Sequence, residues 1–114
     1  MGYYMNMQDC SFFVSSEYAG RVIKELESGC FACEQDNTGN IISLDWCGEK
    51  LFDEFEVCCK VSPYVKTGSY IQMCGEDGCV WRWYFKDGVC EEHIAELRWP
   101  TMEGYELLPD DYTE

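Results

Sequence analysis

Apolar residues recur along this chain with two periods, and each change of period marks the edge of an element. From Tyr3 the pattern is patchily apolar and aromatic, broken at Asn6 and at Gln8-Asp9, and it predicts a bent or bulged strand ending at Phe12-Phe13-Val14. Ser15-Ser16-Glu17 then reads as a helix start, with a hydroxyl cap and an acid in the first turn. Ala19, Val22, Ile23 and Leu26 follow at helical spacing, opposite Arg21, Lys24, Glu25 and Glu27, and Gly29 closes the helix. This predicts one amphipathic helix over Ser16 to Ser28. Cys30 to Gln35 and Ile41 to Trp46 read as strands around the turn residues Asp36-Asn37-Thr38-Gly39-Asn40.

From Glu49 to Ser62 the period becomes helical again. Leu51, Phe52, Phe55, Cys58 and Cys59 fall on one side, Asp53, Glu54, Glu56 and Lys60 on the other, and Pro63 ends the helix. Tyr70 to Phe85 is the strongest signal in the chain: two strand-forming runs flank Gly75-Glu76-Asp77-Gly78, as a tight hairpin does. Lys86-Asp87-Gly88 turns the chain into a last strand from Val89 to about Arg98. The order β-α-β-β-α-β-β-β, with short connections, predicts an α+β fold: a mostly antiparallel sheet with two helices on one face. Residues 1–100 are expected to form a single domain, and residues 101–114 an acidic tail.

Composition supports a packed core in 114 residues, 46% of them hydrophobic and 16% aromatic. Charge changes the functional picture. Twenty-two acids oppose eight bases, a formal net charge of −14. Such a field repels nucleic acid, whose recognition depends on lysine and arginine, and favours basic protein partners. No apolar run approaches the roughly 20 residues that span a bilayer, so no membrane role is expected. The start, Met1-Gly2-Tyr3-Tyr4-Met5-Asn6, lacks the positive and apolar regions of a signal peptide, and Asn6 departs from the myristoylation pattern.

Nine cysteines cannot all pair within one chain, so a reducing cytoplasm is the expected compartment. Alternating the direction of successive elements carries Cys30, Cys33, Cys47, Cys74 and Cys79 towards one end of the fold. Cys30-x-x-Cys33 and Cys74-x-x-x-x-Cys79 have spacings that let pairs of thiolates reach one tetrahedral ion. A structural zinc held by Cys30, Cys33, Cys74 and Cys79 is therefore expected, with Cys47 as the alternate ligand, fastening the two hairpins. Buried thiols that never meet, or a cross-strand Cys74–Cys79 disulfide, are the competing readings.

Catalytic signatures are missing. The single histidine, His93, lies three positions from Cys90, which on a strand places the two on opposite faces. No phosphate-cradling loop, serine elbow or zinc-protease motif occurs, and no enzymatic activity is expected. Trp81, Trp83 and Phe85 share one face of their strand and Val80, Arg82 and Tyr84 the other, so one face packs on the helices and the opposite face still carries large side chains.

Gly68-Ser69-Tyr70-Ile71-Gln72-Met73-Cys74-Gly75-Glu76-Asp77-Gly78, then Trp81-Arg82-Trp83 and Lys86-Asp87-Gly88, resemble a family of small uncharacterised proteins from phages and bacterial mobile elements. The likeness includes Gly2-Tyr3-Tyr4 and extends loosely to Pro100. It implies the strand-helix-hairpin-helix-hairpin layout and no activity; the hairpin cysteines are not usual in that family. In size, acidity and cysteine content the chain also looks like zinc-binding anti-CRISPR inhibitors, a likeness that assigns no binding residue. It implies a non-enzymatic inhibitor that covers a basic surface of a type II CRISPR nuclease in the bacterial cytoplasm and hinders DNA loading. A structural or housekeeping phage protein with a metal-stapled fold, and a thiol-redox protein using Cys30 and Cys33, are the alternatives.

Overall fold

A computed structural model describes residues 3–95. The elements are β1 (Met5–Ser11), α1 (Ser16–Glu27), β2 (Phe31–Gln35), β3 (Ile41–Trp46), α2 (Glu54–Val61), a 3-10 turn at Ser62–Tyr64, β4 (Tyr70–Gly75), β5 (Val80–Lys86) and β6 (Val89–Ile94). This is the expected α+β order. The last strand stops at Ile94, and the tail expected over residues 101–114 lies outside the described residues.

The strands form two antiparallel sheets. One has the order β1-β4-β5-β6, and the other is the β2–β3 hairpin. Isolated bridges from Val14 to Ile41 and Val65, and from Tyr4 to Lys50, tie the hairpin and the chain that follows it to the main sheet. β1 carries a register shift between Met7 and Asp9, the bulge foreshadowed by its interrupted pattern.

Alternation along the strands sorts the main sheet into an inner and an outer face. Ile71, Met73, Trp81, Trp83 and Phe85 point inward and are buried; Tyr70, Gln72, Val80, Arg82 and Tyr84 point outward and are half-exposed. The inner side chains join Ala19, Val22 and Leu26 of α1 and Val57, Cys58 and Val61 of α2 in one core. Phe31, Ile41, Leu44 and Trp46 of the small hairpin complete it. The Trp46 indole N–H, buried here, donates to Gly29 O at 3.0 Å. That bond satisfies a polar group which would be costly to leave unpaired.

Local chemistry explains most boundaries. Asp87 and Gly88 both have positive φ, 52° and 81°, and connect the paired residues Lys86 and Val89. This is the two-residue turn whose twist matches that of the flanking strands. The start of α1 is different from the sequence expectation. Ser15 is the N-cap residue, but its side chain makes no capping bond. Asn40 Oδ1 accepts from Ser16 N at 2.8 Å instead, so the cap comes from the loop of the β2–β3 hairpin. The end of α1 differs too: Cys30, not Gly29, takes the left-handed conformation, at φ 69°.

The second helix is shorter than its pattern predicts. It begins at Glu54, five residues beyond the expected start. Residues 49–51 instead pair with the start of the chain: Met5 N donates to Glu49 O at 2.9 Å, and Leu51 N to Tyr3 O at 2.7 Å. A segment whose backbone groups serve a neighbouring strand cannot use them in an α-helical ladder. Leu51 and Phe52, expected on the buried side of a helix, lie at the surface, Phe52 being 85% exposed.

Candidate functional site

The register of the β4–β5 hairpin decides the geometry of two of the expected zinc ligands. Cys74 lies opposite Val80, and Gly75 N donates to Cys79 O at 2.8 Å. Alternation places Cys74 on the outer face with Gln72, and Cys79 on the inner side, packed against the core. The two thiols thus do not face each other across the strands.

The other pair belongs to the small sheet. Cys30 is exposed, and its carbonyl accepts from Cys47 N at 2.8 Å, so these two exposed cysteines are neighbours at the end of the β2–β3 hairpin. Cys33 lies opposite Leu44 and is half-buried against the core. Burial, with a smaller contribution from the Glu27 carboxylate, pushes its thiol up to about 11. Both the Cys47–Glu49 segment and the β4–β5 turn flank Met5, so they do share one end of the fold. Among the described residues, however, no three cysteine, histidine or acidic side chains are grouped to hold a metal ion.

A different thiol group forms where α2 meets β6. Cys58 and Cys90 are both buried in the core, and the exposed Cys59 follows Cys58 on α2. Burial first, then Cys90, raises the Cys58 thiol well above the ordinary range; Cys59 rises for the same reasons. These are poor nucleophiles, because the thiolate is the reactive form. The shared burial of the two was readable in principle, since Cys58 lies on the apolar stripe of α2 and Cys90 at an inward position opposite Phe85.

His93 lies opposite Arg82 and hydrogen-bonds the Glu91 carboxylate at 3.0 Å, whereas Cys90 is in the core. On the outer face the Arg82 guanidinium sits 4.0 Å from the Tyr70 ring centre. It also donates to Gln72 Oε1 and to the Tyr84 hydroxyl, each at 2.7 Å. The Tyr70 hydroxyl donates to Asp9 Oδ2 at 2.8 Å. Two of its five N–H donors are thus used within the sheet face.

Two surface features remain for recognition. One is charge: among the described residues, Lys60 and Glu25, 3.7 Å apart, are the only lysine or arginine and carboxylate in an ion pair. The other is an apolar groove of about 340 Å³ between the 51–55 segment and the inner edge of β5 and β6. Leu51 and Phe52 wall it, which the helical reading of that segment concealed.

Set against protein-family models, curated proteins and solved structures, the chain matches none. Among the described residues no helix is long and apolar enough to cross a membrane.

Proposed function

We propose that this chain is a non-catalytic inhibitor that binds a basic protein surface. Its target is a nucleic-acid-handling protein of a bacterial host, and the likeness in size, acidity and cysteine content to anti-CRISPR inhibitors points to a type II RNA-guided nuclease in the cytoplasm. The observation that carries the reading is the unneutralised charge. A net charge of −14 coexists with one lysine–glutamate ion pair among the described residues. Carboxylates that are not paired internally remain available to the cations of a partner.

A surface that normally receives phosphates is lined by lysine and arginine. An acidic protein occupying it competes with DNA for the same cations and hinders loading without any covalent step. Association steered by such a field is fast and weakens as salt rises. Support also comes from the buried thiols: burial raises the Cys33 and Cys58 thiols, which disfavours the reactive thiolate.

The test is a pull-down of purified type II nuclease, with and without guide RNA, over a salt series. Retention at low salt that declines as salt rises, together with reduced DNA loading, is the expected result. Absence of binding at low salt overturns the proposal.

A further inference from the structure

The groove beside the 51–55 segment has a chemistry that the acidic exterior alone does not account for. Its floor is aromatic: Trp81 and Trp83, with ring centres 6.2 Å apart, and Phe55, 6.3 Å from Trp83. Its rim is made of Leu51, Phe52 and Ile94, which are 40%, 85% and 62% exposed. Of the large apolar side chains at the surface, these three are gathered on one concavity. Aromatic floors with apolar rims are where interface energy concentrates.

Two polar features orient the occupant. Trp81 is 7% exposed, and its buried indole N–H has no acceptor among the described residues. Its neighbour Trp83 does have one: its indole N–H donates to Glu92 Oε1 at 2.9 Å. A buried donor without a partner is destabilising, so a ligand bringing an acceptor gains by meeting it. Among the described residues Glu92 is the charged residue on the groove wall, and no lysine or arginine lines it. Asp53 follows the exposed Phe52, and Asp77, bonded to Tyr3, stands where Tyr3 closes the opposite end.

We propose that this groove docks a basic polypeptide segment, which inserts one large apolar side chain between Phe52 and Ile94 and sets its lysines or arginines against Glu92 and Asp53. A backbone carbonyl of that segment supplies the acceptor for the Trp81 indole. A nucleic acid fits neither the charge nor the apolar rim, and an acidic segment meets Glu92 with like charge. The inference rests on the reading of the chain as a binder of basic proteins, and it names the surface and the anchor.

The experiment follows the tryptophan indole N–H and backbone amide NMR signals of the intact chain at low salt, titrated with three short peptide amides. The first is a lysine–arginine peptide with a central leucine–phenylalanine pair. The second replaces that pair by serines, and the third replaces the basic residues by glutamine. The first peptide is expected to shift the Trp81 indole signal and to bind at least several-fold more tightly than the other two. Phe52→Ser should weaken it roughly ten-fold, as loss of an aromatic anchor does. Because Phe52 is so exposed, the thermal unfolding midpoint should stay unchanged; Ile94→Thr provides a second variant on the opposite rim.

Equal binding of the serine peptide, unaffected by Phe52→Ser, would overturn the groove while leaving the acidic-surface reading standing. Equal binding of the glutamine peptide would overturn the basic character of the occupant. If neither basic peptide binds, this inference fails, while the salt-dependent nuclease pull-down separately decides the acidic-surface reading. Contacts between the Trp81 indole and residues 96–114 in the chain alone would assign the groove to the protein's own C-terminal segment and likewise overturn the proposal.

Discussion

The hydroxyl of Tyr3 donates a hydrogen bond to the carboxylate of Asp77, joining the start of the chain to the tip of the β4–β5 hairpin. Next to it Tyr4 N donates to Glu76 Oε1 at 2.7 Å. Gly75 lies under the Tyr3 ring, so a Cβ at that position would collide with the phenol. The bond raises the Tyr3 phenol to about 12 and lowers the Asp77 carboxyl. Tyr3 therefore contributes stability that is fully present below its ordinary value of 10.0 and is lost as pH rises through about 12. Asp77 contributes stability present above its ordinary value of 3.8 and lost as pH falls through its lowered folded value. Ultraviolet titration should find Tyr3 and Tyr70, whose hydroxyl donates to Asp9, ionising late, and Asp77→Asn should return Tyr3 alone towards 10.0.

The capping of α1 can be tested by two substitutions that the sequence ranks in the wrong order. Asn40→Ala removes the acceptor for Ser16 N and also loosens the bonds from Asn40 Nδ2 to Asp36 and Thr38. It should cost about 1–2 kcal/mol, the range for loss of a helix cap. Ser15→Ala, at the formal N-cap, should cost about 0.5 kcal/mol or less, because its hydroxyl makes no capping bond. Urea unfolding of both variants decides between them.

Cys30 occupies a left-handed conformation that its Cβ disfavours. Its N–H donates to Glu27 O at 3.1 Å and its carbonyl accepts from Cys47 N, so the backbone there is held from both sides. Cys30→Gly relieves the strain and should raise stability by up to about 1 kcal/mol. Cys30→Val should lower it by about 1 kcal/mol or more. If the Cys30 thiol instead supports the fold through a metal, the glycine variant will be the less stable one, and metal analysis of the purified chain will show why.

Thiol reactivity should follow exposure and burial, not sequence spacing. Cys30 and Cys47 are exposed and should react first with a disulfide reagent near pH 8. With its thiol raised to about 11, Cys33 holds only about a thousandth of its population as thiolate at that pH, and should be markedly slower. Cys58 and Cys90, both buried, should react only on unfolding. A fast Cys33 would restore the redox reading of Cys30 and Cys33.

Trp83 is fully buried between α2 and the sheet, and its indole is hydrogen-bonded to Glu92. Trp83→Ala should cost about 3–5 kcal/mol. Trp83→Phe should cost more than Trp81→Phe, by about 1 kcal/mol, since only the former discards a hydrogen bond. Comparing the two denaturation midpoints checks it.

Much of the architecture was legible in the chain because it rests on signals a few residues long. The helical stripe of Ala19, Val22 and Leu26 and the Asp87-Gly88 turn read as they fold, and alternation put Trp81, Trp83 and Phe85 on one face, although only packing showed that this face is the inner one. So did the bulge in β1. The candidate sites were far less legible. Cys74 and Cys79 have a ligand-like spacing, yet the hairpin register puts them on opposite sides of the sheet. Cys58 and Cys90 have no spacing to notice, and they enter one core because a helix face and a strand face share it.

The amino-acid sequence by itself determined the element order, which side chains of β5 share a face and the acidity of the chain. Period, turn chemistry and charge are properties of the chain, whatever it packs against. Tertiary structure decided the rest: where α2 begins, which residue caps α1, which thiols share the core, and that Leu51 and Phe52 stand at the surface. Each of those outcomes depends on backbone groups or side chains brought together from distant positions. Glu49 and Leu51 were free to continue a helix until Met5 and Tyr3 claimed their hydrogen bonds.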